Sequence, residues 1–155
     1  MARRTGRRNK ERKASMKIAI IGSMKFAKDM VKLKKDLEDL GHEVSIPVGT
    51  EPHLTNPDFV ENLVENLQFC IEQDVMRENF RQVADNDGII VLNKRRNEMD
   101  GYIGTSALLE MGIAHFLGKK IFLYHPTPHF NDVRWAHEVA IMQPIVINGD
   151  LSKIG

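Results

Sequence analysis

The chain has 155 residues, of which 42% are apolar and 28% charged, and a formal net charge of +1. That length suits one domain with a substantial core, the composition is that of a soluble globular protein, and no apolar run approaches the about 18 residues a membrane span requires. The single cysteine, Cys70, excludes an internal disulfide and fits a reducing compartment, so a cytoplasmic protein is expected.

The charge is unevenly spread. Residues 1–15, MARRTGRRNKERKAS, carry +6, whereas the other 140 residues carry −5. The segment has no apolar periodicity and reads as a disordered basic tail. Because the rest of the chain is acidic and offers no supporting basic face, nucleic acid is not an expected partner. The folded domain is expected over residues 16–155.

From Met16 onward, strand and helix patterns alternate. KIAIIG (17–22) is a short apolar run closed by glycine, as in a buried parallel strand. Phe26, Met30, Leu33, Leu37 and Leu40 then recur at helical spacing, and Gly41 supplies the stop. HEVSIP (42–47) is a second strand, followed by a loop rich in Pro, Gly and Thr. NPDF (56–59) marks a helix start with Asn56 as cap, and helical periodicity runs to Ala84 with a break near Gln68. GIIVLN (88–93) is the third strand, and a helix spans 105–117. KIFLYH (120–125), a short helix over 132–141 and PIVIN (144–148) complete the set. The pattern predicts an α/β fold: a flavodoxin-like or Rossmann-like three-layer sandwich with a five-stranded parallel sheet.

In such sheets ligands bind at the carboxyl ends of the strands, near the point where strand order reverses. The candidate site therefore comprises Gly22, Ser23 and Met24 after the first strand and Asn93 after the third. The amides of Gly104, Thr105 and Ser106, at the start of the helix that follows, could hold an anion there. Lys94, Arg95 and Arg96 lie on the rim.

One residue of that helix stands out. LLEMGIAHFLGKK (108–120) is apolar or small on almost every side except at Glu110. Its neighbours three and four places away are Ser106, Ala107, Ile113 and Ala114, so no cation pairs with it along the helix. An unpaired buried carboxylate is costly, and Glu110 falls about one turn inside the crevice wall. Phosphate-loop, dinucleotide and nucleophile-elbow motifs are all absent. His125, His129 and His137 do not form a convincing ligand set, so neither metal nor cofactor is expected.

The segments IIGSM, ADNDGIIVLN and GYIGTSALLEMGIAHFLGKKIFL together resemble the nucleoside 2-deoxyribosyltransferase superfamily, which includes the deoxyribonucleoside monophosphate N-glycosidases. The resemblance runs from Met16 to Ile147. It implies a flavodoxin-like fold, a nucleoside or nucleotide substrate and a homo-oligomer of two or more copies. It also implies Glu110 as catalytic nucleophile, with Gly22, Ser23 and the GTS loop around the sugar or its 5′-phosphate. Two positions depart from the family pattern. The stretch Ala19-Ile20-Ile21 lacks the usual tyrosine, and Asn79 stands where relatives carry an aspartate. The proton donor to the leaving base is thus open among Asp74, Asp85, Asp87 and Asp100, with Asp85 and Asp87 the leading candidates.

The chemistry suits a lone carboxylate. Breaking an N-glycosidic bond passes through an oxocarbenium-like state, which a carboxylate beneath the sugar can trap as a glycosyl ester. Water completes hydrolysis; a second base completes transfer. The rival expectation is a non-catalytic module of the same fold that binds a nucleotide-like ligand in the same crevice.

Overall fold

A computed structural model describes residues 15–155; the tail expected over 1–15 lies outside the described residues except for its last residue. Five strands form one all-parallel sheet: β1 (Lys17–Ile21), β2 (Glu43–Ser45), β3 (Gly88–Val91), β4 (Lys120–Leu123) and β5 (Ile145–Val146). Their order is β2-β1-β3-β4-β5, the flavodoxin-like arrangement. β1 is an interior strand, aligning Lys17 with Glu43 on one side and Ile18 with Gly88 on the other.

Alternation along β1 feeds two separate cores. Ile18 and Ile20 pack with Met30, Leu33 and Leu37 of α1 (Ala27–Asp39). Ala19 and Ile21 face the other way, toward Val83 of α4 (Val75–Asp85) and Ala107, Met111 and Ala114 of α5 (Thr105–Phe116). Val139 of α6 (Arg134–Ile141) joins this second layer. Central strands with both faces covered explain why their sequences are continuous apolar runs. Among the described residues, no helix is long and apolar enough to cross a membrane.

Two local expectations are corrected. The loop after Pro47 contains a short helix, α2 (Glu51–Thr55), with Pro52 in its first turn. The helix expected from Asn56 to Ala84 is divided not near Gln68 but twice: a 3-10 turn (Pro57–Val60), which the Asn56 side chain does not cap, ends before Asn62, which caps α3 (Leu63–Glu72), and the chain breaks again at Gln73-Asp74 before α4. Asp74 takes the left-handed conformation (φ 48°), which turns the chain although apolar periodicity continues on either side.

The strand order reverses between β1 and β3. β1 continues through α1 toward β2, whereas β3 continues through α5 toward β4. The loops at the carboxyl ends of β1 and β3 therefore separate and leave a crevice between them.

Candidate functional site

The crevice is a cavity of about 400 Å³, within the usual range for small-molecule sites. Gly22, Ser23 and Met24 supply one wall from the β1 loop, and Gly104, Thr105 and Ser106 supply another from the start of α5. Glu110 lies one turn farther along α5. Each of these seven residues was expected at the site, and the fold brings all of them to one cavity.

Backbone geometry fixes both walls. Gly22 has φ 150°, and a Cβ there would stand 3.0 Å from the Leu92 carbonyl oxygen. Gly101 has φ 70°, and a Cβ would meet the Pro126 carbonyl oxygen at 2.0 Å. Only glycine lets the β3–α5 loop pass this close to the end of β4.

Glu110 is 7% exposed, and among the described residues no hydrogen bond or ion pair reaches its carboxylate. Burial pushes its pKa up from 4.5 to about 7, because the charged form loses its water without gaining a partner. The group is therefore poised near neutrality. It is also the only carboxylate among the residues lining the cavity.

The basic run on the rim is split by its ion pairs. Lys94 turns to Asp29 at 3.1 Å on the α1 side, and Arg95 pairs with Asp100 at 3.0 Å on the exposed surface. Arg96 alone lines the cavity. Residues 96–99 form a tight antiparallel turn in which Asn97 and Glu98 take positive φ, and this turn presents the guanidinium inward. Arg96 donates to the Ser23 hydroxyl and to Glu61 Oε1 (3.2 Å), and its Cζ lies 5.8 Å from the Tyr102 ring centroid.

Val60, Phe69 and Val75 are apolar parts of the wall, and His53, Asn79 and Tyr102 are on it too, although the sequence reading named none of these three as a site residue; Tyr102 lies beside Arg96. Asn79 Oδ1 accepts the Val48 amide at 2.7 Å, which fixes the orientation of its side-chain amide. His53 is 5% exposed, and its Nδ1 is enclosed with no hydrogen-bond partner among the described residues. Burial lowers its pKa, so the imidazole is neutral at pH 7.

Three sequence expectations are not brought to the cavity. Asp87 immediately precedes β3 at the amino edge of the sheet, where its Oδ2 accepts the Lys17 amide at 2.8 Å. Asp85 ends α4 near Lys17 and Glu43, at that same edge. Both aspartates are a strand's length from Glu110 and cannot protonate a group bound beside it. Asn93 is wholly buried, but its side chain is spent on the backbone of His125, donating to the carbonyl (2.7 Å) and accepting from the amide (2.8 Å). It clamps the ends of β3 and β4 together and does not line the cavity. The remaining acid candidates fare no better: Asp74 pairs with Arg77 at 2.9 Å and Asp100 with Arg95, both away from the wall.

Among the described residues, no three His, Cys, Asp or Glu side chains converge as metal ligands. Comparison of the chain with protein-family models, with characterised proteins and with solved structures returns no match.

Proposed function

We propose that the cavity cleaves the N-glycosidic bond of a nucleoside or nucleoside monophosphate, with Glu110 as nucleophile, making the protein an N-glycoside hydrolase or deoxyribosyltransferase. The observation that carries this reading is the unpaired, buried carboxylate of Glu110 on the wall of a cavity at the switch point of the sheet. A fold keeps such a group at a cost, and reactive sites are where that cost is found.

In this mechanism the sugar lies over Glu110. As the bond from the anomeric carbon to the base breaks, its electron pair leaves with the base, and positive charge grows on the sugar ring. That charge is the partner Glu110 lacks, and the dry wall strengthens their attraction. One carboxylate oxygen then bonds the anomeric carbon. Water or a second base attacks the resulting ester and frees the carboxylate. The amides at the start of α5, with Arg96 and Ser23, favour an anionic group on the sugar, as in a monophosphate.

Assembly with a second copy of the chain belongs to the same reading. α3 buries none of its residues fully, and Leu63, Val64, Leu67 and Ile71 are 62–80% exposed along it. Leu63 also lines the cavity, so a partner covering this stripe would close the site. Light scattering at micromolar concentration is expected to give a dimer or larger; a monomer removes this part of the reading.

One observation favours the rival, a non-catalytic nucleotide-binding module: Asn79 occupies the wall where a carboxylic acid would be useful, and an amide cannot protonate a leaving base. Incubating the protein with a panel of nucleosides and monophosphates separates the two. Release of free base, lost in Glu110→Gln, supports the enzyme. Binding of the panel without any base release supports the module.

A further inference from the structure

Cleaving an ordinary N-glycoside asks for a proton donor as well as a nucleophile, and among the described residues no second carboxyl group lines the cavity. A neutral purine or pyrimidine leaves a sugar poorly as an anion, and a placed acid that protonates it contributes about 10²–10⁴-fold in rate. Glu110 cannot serve twice, because the proton that would make it an acid removes the charge that makes it a nucleophile. Asn79 is an amide and carries no acidic proton. Cys70 donates to Asn66 Oδ1 at 3.4 Å, and burial pushes its thiol pKa up, so it holds its proton more tightly. His53 is neutral at pH 7, with its Nδ1 enclosed by protein. Tyr102 offers a phenol, far weaker as an acid than a carboxyl group.

The charges on the wall point the same way. Arg96 is the only Lys or Arg among the described residues lining the cavity; it pairs with Glu61 at 3.2 Å and forms no ion pair with Glu110. Ionised Glu110 is thus the one uncompensated charge on the described wall, and a cation is the ligand that answers it.

We infer that the substrate is a cationic N-glycoside, its heterocycle already positively charged at the nitrogen bonded to the sugar, as in a pyridinium nucleotide. The inference rests on the N-glycoside reading above and adds to it the class of substrate. In such a substrate the bond from the anomeric carbon to the ring nitrogen breaks with its electron pair going to that nitrogen. The heterocycle departs as a neutral molecule, and no proton donor is needed. Positive charge passes from the heterocycle to the sugar, toward Glu110, whose oxygen then bonds the anomeric carbon. Water attacks the ester, frees the carboxylate and gives its surplus proton to solvent. One cationic glycoside and one water thus become a free sugar, a neutral base and a proton. A neutral glycoside in the same cavity has the nucleophile but lacks the acid, so Asn79 on the wall acts as a selection against it.

The test uses the full chain and four probes, the 5′-monophosphates of nicotinamide and of adenine, each on ribose and on 2-deoxyribose, so that each pair differs only in its base. Chromatography follows the release of free nicotinamide or adenine. On whichever sugar is turned over, kcat/KM for the nicotinamide nucleotide is expected to exceed that for its adenine partner by about 10²-fold or more, with release lost in Glu110→Gln. Asn79→Asp places a carboxyl group on the wall, and it should raise adenine release and narrow that ratio about tenfold or more. A melting curve shows whether this variant folds; if it does not, the ratio in the parent decides. Adenine released by the parent within about tenfold of nicotinamide would mean that a proton donor reaches the cavity from a second copy or from outside the described residues. That result overturns the inference and spares the wider reading, as does a folded Asn79→Asp with an unchanged ratio. If no probe releases its base, or release persists in Glu110→Gln, the wider reading falls and the substrate class with it.

Discussion

The two ends of the sheet treat a carboxylate in opposite ways. At the amino edge, Asp87 is exposed and takes the Lys17 amide at 2.8 Å, so its charge has both water and a partner. At the carboxyl edge, Glu110 is buried and takes nothing from the described residues. One carboxylate ties β3 to β1 and its work is finished when the chain folds. The other stays unsatisfied in the folded state, and whatever satisfies it must come from outside. The difference lies in what each group still needs, and that is a better guide to chemistry than residue type.

The contrast can be broken most sharply at Glu110. Glu110→Gln keeps the shape and removes the charge, and base release is expected to fall by at least about 10³-fold, as for loss of a nucleophile acting only in the transition state. The matching change at the other end, Asp87→Asn, should leave the rate per folded molecule within about twofold, since Asp87 touches nothing in the cavity. Comparable rate losses in both variants would dissolve the contrast.

Stability as a function of pH sharpens it. The Glu110 carboxyl titrates near 7 in the folded chain and near 4.5 in the unfolded one. Its contribution to stability is therefore full below pH 4.5, is lost as pH rises toward 7, and stays lost above. With a raised pKa of about 7, the ionised carboxylate costs the fold about 3 kcal/mol at pH 8. Glu110→Gln should be more stable than the parent by about that amount at pH 8, with no gap at pH 4. Denaturant melts at the two pH values check this. A Gln variant less stable at pH 8 would mean that the carboxylate has a structural partner.

Arg96 gives a smaller effect. Arg96→Ala should reduce the preference for monophosphates over nucleosides about tenfold, equivalent to about 1.4 kcal/mol, and added salt should shrink the parent's preference in the same direction. Calorimetric titrations with both ligand types test it. Equal affinities in the parent protein would remove the anion site. Smallest of all, Asp87→Asn should cost about 1 kcal/mol of stability by weakening one exposed hydrogen bond, and a loss above about 3 kcal/mol would mean that Asp87 does more than tie two strands.

The fold was largely legible because its signals are local. Uninterrupted apolar runs such as KIAII and GIIV mark strands covered on both faces, and their alternation with helical periodicity leaves few topologies. Glu110 was legible as a charge with no helical neighbour to pair with. Asp85 and Asp87 misled because a carboxylate before a strand and one after it look alike in a list of residues, although the site lies only where strands end. Asn93 does follow a strand, yet its side chain points across to His125, and direction is not written in position. His53 was missed for a different reason. It sits in a stretch of Pro, Thr and Gly, and its ring packs on Phe59, itself packed on Phe69, from segments that follow, which local periodicity cannot report.

The nucleophilic role proposed for Glu110 is tested most directly by trapping the ester. A 2-fluoro-substituted deoxynucleotide analogue slows formation and breakdown of the glycosyl ester, and a good leaving group restores the first step. After incubation and proteolysis, mass spectrometry is expected to find one sugar adduct per chain, on the peptide containing Glu110, and none in Glu110→Gln. An adduct on any other residue, or full turnover of natural substrate by Glu110→Gln, would contradict the assignment of this carboxylate as the nucleophile.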